Sequence, residues 1–212
     1  GLDFFCLTEH DWQMNEEDWH TLQEITDSYN EADRFVTLHG YEWTSPNYGH
    51  RNIYYLDKGG PILRSSIKLV GYGEWDEKNP SPRQLWKELK ELGIEFFTVP
   101  HHPSTSQFPI RPGEFYDEEV DRLIEIYSCW GSSEKGSDPL ADRLNICAHR
   151  IGGHGVEEHL KAGCKYGFIA SSDGHDGCPG LAQGTPKRPQ LFHYGGSGRV
   201  AVLANQFSRE AI

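Results

Sequence analysis

The sequence predicts an α/β fold, in which helices cover a mostly parallel β-sheet. Short apolar runs of strand length alternate with amphipathic runs of helical spacing along the whole chain, and this alternation is typical of βαβ units. The chain has 212 residues, a length that fits one domain built around one core. We therefore expect a single domain over residues 1–212, with a closed barrel and an open doubly wound sheet as the two alternatives.

The first half of the chain predicts three strands and two helices. "LDFFCLT" predicts the first strand, and Asn15 then caps a helix that has three acidic residues in its first turn. Trp19, Leu22, Ile25 and Tyr29 follow at helical spacing. "RFVTLHGYEW" and "RNIYYLD" predict the next two strands. Ser81 and Pro82 begin a second helix, which Gly93 ends.

The second half continues the alternation. "IEFFTVPHH", "LIEIYS", "YGFIAS" and "RVAVLA" predict strands, and "DEEVDR" predicts a short helix or turn. Helices are expected around Ala141 to Ala148 and Val156 to Ala162, and a surface loop over about residues 185 to 198. Residue 1 is Gly, and Ser208 caps a helix that ends almost at once. We therefore expect a fragment of a longer protein.

Composition disfavours several classes of partner. The formal net charge is −12 and no cluster of basic residues is present, so binding to a nucleic-acid backbone is not expected. No apolar run is long enough to cross a membrane. Five cysteines without a Cys-x-x-Cys pair predict free thiols. This slightly favours the cytoplasm, although a signal peptide in a missing N-terminus would indicate a periplasmic or secreted protein; the oligomeric state stays open.

Side chains that commonly bind metals lie in or directly beside six of the predicted strands. They are Glu9, His10, Asp11, Glu42, His50, His101, His102, Glu125, Asp173 and His175. The last two alone could belong to an ordinary Asp-Gly turn, but a barrel that collects ligands from several strand ends predicts the whole distribution. Imidazole and carboxylate ligands without cysteine suit Zn²⁺, Mn²⁺ or Fe. More than four ligands indicate more than one ion, and such sites activate water for hydrolysis, most naturally of a phosphate ester.

The motifs "GLDFFCLTEHD", "GYEW", "GHRNIYYL", "TVPHHP", "IEIYS" and "SSDGHDG" resemble, in this order, those of the PHP (polymerase and histidinol phosphatase) superfamily, nearest to an uncharacterised branch. The resemblance implies a distorted (β/α)₇ barrel of the TIM type, up to three divalent metal ions, and phosphoesterase activity on a small phosphorylated substrate.

The resemblance also implies a role for each ligand. His10 and His175 would serve one outer metal, and Glu42 would bridge two metals. His50 and His101 would complete one of those two sites, and Asp173 would bind the metal nearest the missing N-terminus. The implied metal ligands are therefore His10, Glu42, His50, His101, Asp173 and His175, with Glu42, Asp173 and His175 as catalytic residues. The chain lacks the His-x-His motif with which PHP proteins begin, so we expect fewer than three ions and weak or no activity.

Other polar residues near these motifs are expected to support the ligands. Glu9, Asp11 and Glu125 are candidate partners of the metal-binding side chains, with solvated positions as the alternative. His102 follows His101, so on an extended chain it should point the opposite way, and we expect it to be a structural residue or a partner of the metal ligands. Arg51 is a candidate phosphate contact. Two further functions stay open: a catalytically silent binding or structural module, and a metal-dependent amide or ester hydrolase.

Overall fold

The computed structural model describes residues 1–65, 67–68, 75–76, 80–135, 152–175 and 198–212. The chain divides into two compact units. The first contains Gly1–Asn47, Arg51–Thr98 and Val202–Ile212, and the second contains Tyr48–His50 and Val99–Ala201. Whether these units form one domain, as the sequence predicts, stays a prediction.

The first unit is built mainly on a four-stranded sheet with the order β1-β2-β3-β6. Its strands are β1 (Phe4–Cys6), β2 (Val36–Ser45), β3 (Gly49–Tyr55) and β6 (Phe96–Pro100). β1 and β2 are parallel. A 3₁₀ turn covers Asp11–Gln13, and two short antiparallel strands are β4 (Ile67–Lys68) and β5 (Trp75–Asp76). The helices are α1 (Glu16–Ser28) and α2 (Pro82–Glu91).

Both helices begin where the sequence predicts. The Asn15 side chain accepts a hydrogen bond from the Asp18 N–H and the Asp18 side chain accepts one from the Asn15 N–H, which forms a capping box. Ser81 and Gln84 form the same arrangement at the start of α2. Gly93 has a φ of +70° directly after α2, a conformation that ends helices and favours glycine.

The core of the first unit is rich in aromatic side chains whose polar atoms are satisfied by one loop. The Trp19 ring makes edge contacts with Tyr41 and Tyr55, whose ring centroids lie 6.2 Å from each other. Trp19 Nε1 donates to the Gly60 carbonyl, the Tyr55 hydroxyl to the Pro61 carbonyl and the Tyr41 hydroxyl to the Leu63 carbonyl. Large apolar rings can therefore be buried without leaving these donors unpaired.

The second unit is built on a three-stranded sheet with the order β8-β7-β9. Its elements are β7 (Leu123–Ser128), β8 (Gly131–Ser132), β9 (Gly167–Ala170) and helix α3 (Val156–Lys161). β7 pairs parallel with β9 and antiparallel with β8. A core cluster of Ile124, Val156, Cys164 and Tyr166 joins α3 to this sheet. The prediction of a helix over 156–162 is confirmed within one residue.

The predicted (β/α)₇ barrel is wrong. β2 and β3 are neighbours in their sheet, yet only residues 46–48 connect them, and a parallel pair needs a crossover of about a dozen residues. β7 and β8 are likewise an antiparallel hairpin. The described strands lie in three separate sheets, so this part of the chain contains no closed barrel.

Three smaller predictions also have an outcome. Residues 199–204, "RVAVLA", form no strand. Ser208 begins only a turn, in which its carbonyl accepts from the Ala211 and Ile212 N–H groups. The predicted helix around Ala141 to Ala148 and nearly all of the predicted loop lie outside the described residues. No helix in the described ranges is long and apolar enough to cross a membrane.

Candidate functional site

His101 of the second unit lies between two carboxylates. It follows β6 directly and is buried. Its Nδ1 is 2.9 Å from Glu125 Oε2, and its Nε2 is 3.2 Å from Asp173 Oδ2. Glu125 lies within β7, and Asp173 follows the end of β9. Because β7 and β9 are parallel neighbours, the sheet brings both acidic residues to one imidazole.

The Glu125 carboxylate accepts three hydrogen bonds. Oε1 accepts from the His102 backbone N–H at 3.1 Å. Oε2 accepts from the Ser171 hydroxyl and is also the partner of His101 Nδ1. Because Oε2 accepts from the imidazole, the proton of His101 is assigned to Nδ1. Nε2 of His101 is thereby directed toward Asp173.

The Asp173 carboxylate differs from that of Glu125. Its Oδ2 is buried and makes no hydrogen bond with the described residues, although it lies 3.2 Å from His101 Nε2. Two ligands bound to one ion at about 2.0–2.2 Å are roughly 3 Å apart, so the separation fits a pair of metal ligands. The atoms present therefore fit a divalent cation held by one imidazole nitrogen and one carboxylate oxygen.

The electrostatics of this site favour a positive charge at His101. Burial alone lowers the pKa of His101, but the charges of Glu125 and Asp173 outweigh burial and raise the pKa well above 6.5. In the absence of a metal, a proton can occupy the place between Nε2 and Asp173. The same field stabilises either a proton or a metal ion.

Two residues of the site have an unusual backbone. The non-glycine residues His102 and Asp173 have φ values of 34° and 47°, in the left-handed region that side chains rarely adopt. Such strain persists only where the surroundings enforce it, and it clusters at functional sites. Among the described residues, Asp33 is the other non-glycine residue with a positive φ.

The left-handed backbone also changes the expected direction of His102. Its ring centroid lies 4.1 Å from that of His101, so the two side chains do not point to opposite faces as an extended chain would require. His102 also lies 4.8 Å from the His50 ring, which stacks on Phe108 at 4.5 Å. His50 and His102 are therefore buried neighbours of His101.

His175 is the most exposed of the predicted ligands. Its Nδ1 is 2.9 Å from the Asp173 backbone carbonyl and 3.7 Å from Asp173 Oδ1. These contacts place the ring beside the carboxylate whose other oxygen faces His101.

The first unit contains a second predicted pair, His10 and Glu42. The residues face each other in a parallel bridge between their backbones, and His10 Nδ1 is 3.3 Å from Glu42 Oε2. The same nitrogen is 2.7 Å from the Thr44 hydroxyl. Glu42 is buried, whereas a fifth of the His10 side chain is exposed.

Asp11 is buried beside this pair, but its carboxylate is hydrogen-bonded to the backbone. Its carboxylate accepts from the N–H groups of Thr44 and Ser65. Burial raises its pKa from 3.8 to about 6, although these hydrogen bonds partly oppose the shift. Asp11 therefore supports the segment around His10, as one of the expected partners.

Two of the weaker candidates have contacts that are not those of a ligand. Glu9 is exposed, and it is its backbone carbonyl that accepts from the Glu42 N–H. Arg51 is fully buried, with its guanidinium carbon 5.9 Å from the centroid of the Trp86 ring. Its role as a phosphate contact stays a prediction.

Sequence reasoning missed three side chains that contact these residues. Ser171 donates to Glu125, Cys129 Sγ donates to the Asp173 carbonyl at 3.1 Å, and Thr44 contacts His10. Ser171 could have been found from its place directly after a strand and two residues before Asp173. No sequence pattern marks Cys129 or Thr44.

The chain belongs to a family described as "Protein of unknown function (DUF3604)", whose model matches residues 4–121. The resemblance to the PHP superfamily is therefore wrong as a family assignment, and the described sheets also lack the barrel that it implied. The match covers more than half of the chain and includes His10, Glu42, His50 and His101.

The relatives found are uncharacterised. A protein of Chlamydia pneumoniae is 24% identical over 227 residues, and one of Chlamydia trachomatis is 24% identical over 226 residues. Each alignment covers 100% of this chain and 32% of the relative. The chain thus spans about a third of the length of these curated relatives.

One solved structure is also similar. The crystal structure of PsfC from Pseudomonas syringae PB-5123 matches with a TM-score of 0.47 and 16% identity, over 95% of this chain and 78% of that chain. A likeness of this strength supports no conclusion about fold or function.

Proposed function

We propose that this chain carries the metal centre of a metal-dependent hydrolase of the phosphoesterase type. The proposal depends on one observation: a buried oxygen of Asp173 makes no hydrogen bond with the described residues and lies 3.2 Å from Nε2 of His101. A buried carboxylate oxygen without a donor is unfavourable, and a cation bound by both atoms would remove this deficit.

The residues suit a divalent ion such as Zn²⁺, Mn²⁺ or Fe, since the donors are imidazole and carboxylate. When bound, the ion would activate water and polarise a phosphoryl oxygen. Glu125 fixes the His101 ring and its tautomer, as carboxylate partners of metal-binding histidines commonly do. Asp173 supplies negative charge. His175, beside Asp173 and more exposed, can donate or accept a proton at the substrate.

The first experiment is elemental analysis of the purified protein with His101→Gln and Asp173→Asn variants. The matched control is His39→Gln, because His39 is also buried and its Nε2 lies 2.9 Å from a carboxylate, Asp27. We expect Zn, Mn or Fe in the parent and the control and its loss in both site variants. Equal metal content in parent and Asp173→Asn would contradict the proposed ligand pair.

Hydrolysis is tested on the full-length protein, because the chain spans only a third of its relatives. Bis(p-nitrophenyl) phosphate and p-nitrophenyl phosphate are compared with p-nitrophenyl acetate. Phosphate ester cleavage that requires metal and Asp173 supports the proposal. Cleavage of the acetate alone would indicate an ester hydrolase instead.

A second candidate function is a catalytically silent module. The observation in its favour is the raised pKa of His101, because an imidazolium bound by two carboxylates could stabilise the unit without any metal. This alternative predicts a protein that binds none of the three metals and hydrolyses neither ester, yet loses stability when His101 is replaced.

A further inference from the structure

Two backbone hydrogen bonds hold Ser171 in place. It directly follows β9. Its N–H donates to the Tyr127 carbonyl at 3.0 Å, and its carbonyl accepts from the Gly198 N–H at 2.8 Å. These two bonds hold the Ser171 backbone beside Tyr127 of β7. From this position the Ser171 hydroxyl donates to Oε2 of Glu125.

We propose that Ser171 is a positioning residue that acts through Glu125 on His101. The proposal rests on the proposed function, because its effect is exerted on the metal affinity of His101. The described side-chain hydrogen bond of Ser171 is to Glu125, not to either proposed metal ligand.

The Glu125 carboxylate links Ser171 to His101. Oε2 of Glu125 receives both the Ser171 hydroxyl and His101 Nδ1, and Oε1 receives the His102 N–H. The hydroxyl therefore opposes rotation of the carboxylate about its last torsion, which is otherwise soft. Without it, the acceptor of His101 is less well held, and the direction of Nε2 toward Asp173 becomes less defined.

The expected effect is on metal affinity. Replacing partners that orient metal ligands commonly weakens metal binding by about 10–100-fold. Ser171 contacts Glu125 and not His101 itself, so we expect Ser171→Ala to weaken metal binding by about 10-fold, the lower end of that range.

The test is a Co²⁺ titration of the metal-free protein, followed by visible absorption. The variants are Ser171→Ala, Ser171→Thr, which retains a hydroxyl, and Glu125→Gln. The matched control is Ser128→Ala, because Ser128 is a buried serine at the end of β7 whose hydroxyl accepts from the Trp130 N–H. Ser171→Ala is also made in the Glu125→Gln background, and thermal unfolding of each metal-free variant is recorded.

We expect Ser171→Ala to weaken Co²⁺ binding about 10-fold and Ser171→Thr to restore most of the affinity. In the Glu125→Gln background, Ser171→Ala should have no further effect, as for two residues acting in series. The Ser128→Ala affinity should equal that of the parent. If Ser171→Ala does not fold, Ser171→Cys, with a weaker donor of similar size, should give an intermediate loss.

Three results would overturn the inference. Ser171→Ala could bind Co²⁺ as the parent does, or weaken binding equally in both backgrounds, which would indicate a general effect on the fold. In both cases the parent still binds Co²⁺, so the proposed function survives. A parent that binds no Co²⁺ would instead refute the proposed metal centre and the inference with it.

Discussion

In each unit of the protein a buried acidic side chain lies near a histidine, but Asp11 and Asp173 differ in their partners. In the first unit, the fully buried Asp11 is bonded to the N–H groups of Thr44 and Ser65. In the second, Oδ2 of Asp173 faces His101 without a hydrogen bond from the described residues. Burial of a carboxylate alone therefore does not indicate a metal ligand; the identity of its partner does.

The largest expected difference between the two sites concerns loss of the histidine. His101→Gln would leave two buried carboxylates without the positive partner between them, and removing one partner of a buried pair destabilises by about 3–5 kcal/mol. His10→Gln removes a partly exposed ring and should destabilise by about 1 kcal/mol. Urea unfolding in the presence of a chelator measures both. Equal losses of stability in the two variants would mean that the second carboxylate beside His101 adds nothing to the stability.

The next expected effect is a pH dependence of the folding stability that is due to Asp11. The folded-state pKa of about 6 lies above the ordinary value of 3.8, so between these pH values the folded protein binds a proton that the unfolded chain has lost. Stability should therefore fall as pH rises from about 4 to 6, by roughly 3 kcal/mol at most for a shift of about two units.

Asp11→Asn should remove this dependence, because the amide does not titrate. The measurement is the free energy of unfolding of parent and variant at several pH values from 4 to 7. The slopes are compared rather than the absolute stabilities, since the amide also replaces a hydrogen-bond acceptor by a donor. A variant curve parallel to that of the parent would show that Asp11 is not the titrating group.

The third expected effect distinguishes a proton from a metal at His101. Its pKa lies well above 6.5, so stability of the metal-free protein should fall as pH rises through 6.5 toward the folded-state pKa. Zn²⁺ would take the place of that proton. At about 100 times the Kd, Zn²⁺ should stabilise by roughly 2.7 kcal/mol, and Zn²⁺ should bind more tightly at pH 8 than at pH 6.

The control for this linkage is Asp173→Asn, which removes a proposed ligand. Its thermal unfolding temperature should change little with Zn²⁺ at either pH. If Zn²⁺ stabilised Asp173→Asn as strongly as the parent, the ion would be bound elsewhere.

The sequence predicted the local structure well because its signals are local. The side chains of Asn15 and Ser81 cap the helix starts, and the left-handed backbone of Gly93 ends a helix. It did not predict the connectivity. Alternating apolar runs look the same in parallel and antiparallel sheets, and the short link at 46–48 was the available sign that β2 and β3 are not a parallel pair.

The candidate site was partly predictable for the same reason. Strand ends marked His101 and Asp173 as candidate ligands, a charged residue inside an apolar strand marked Glu125, and the structure brings these three together. The direction of His102 was wrong because it depends on a left-handed backbone, which no side-chain pattern revealed. The role of Ser171 depends on the parallel pairing of β7 and β9, a contact between residues more than forty positions apart.

The smallest expected effect tests whether the second site depends on close packing at Gly198. A Cβ there would lie 2.5 Å from Ala170 Cβ and 2.7 Å from the Tyr127 carbonyl oxygen. Because the second of these is a backbone atom, Gly198→Ala should shift the end of β9 and destabilise by about 2 kcal/mol. Gly152→Ala is the matched control in the same unit, since nothing lies within 4 Å of its added Cβ.

The same pair of variants sharpens the comparison of the two sites. Gly198 donates to the Ser171 carbonyl, so a shift there should reach Glu125 and lower the affinity for Co²⁺, whereas the pH dependence assigned to Asp11 should be unchanged. Unfolding and Co²⁺ titration of both variants measure this. If Gly198→Ala lowered stability but left Co²⁺ affinity intact, the end of β9 would be shown to support the fold without positioning the metal ligands.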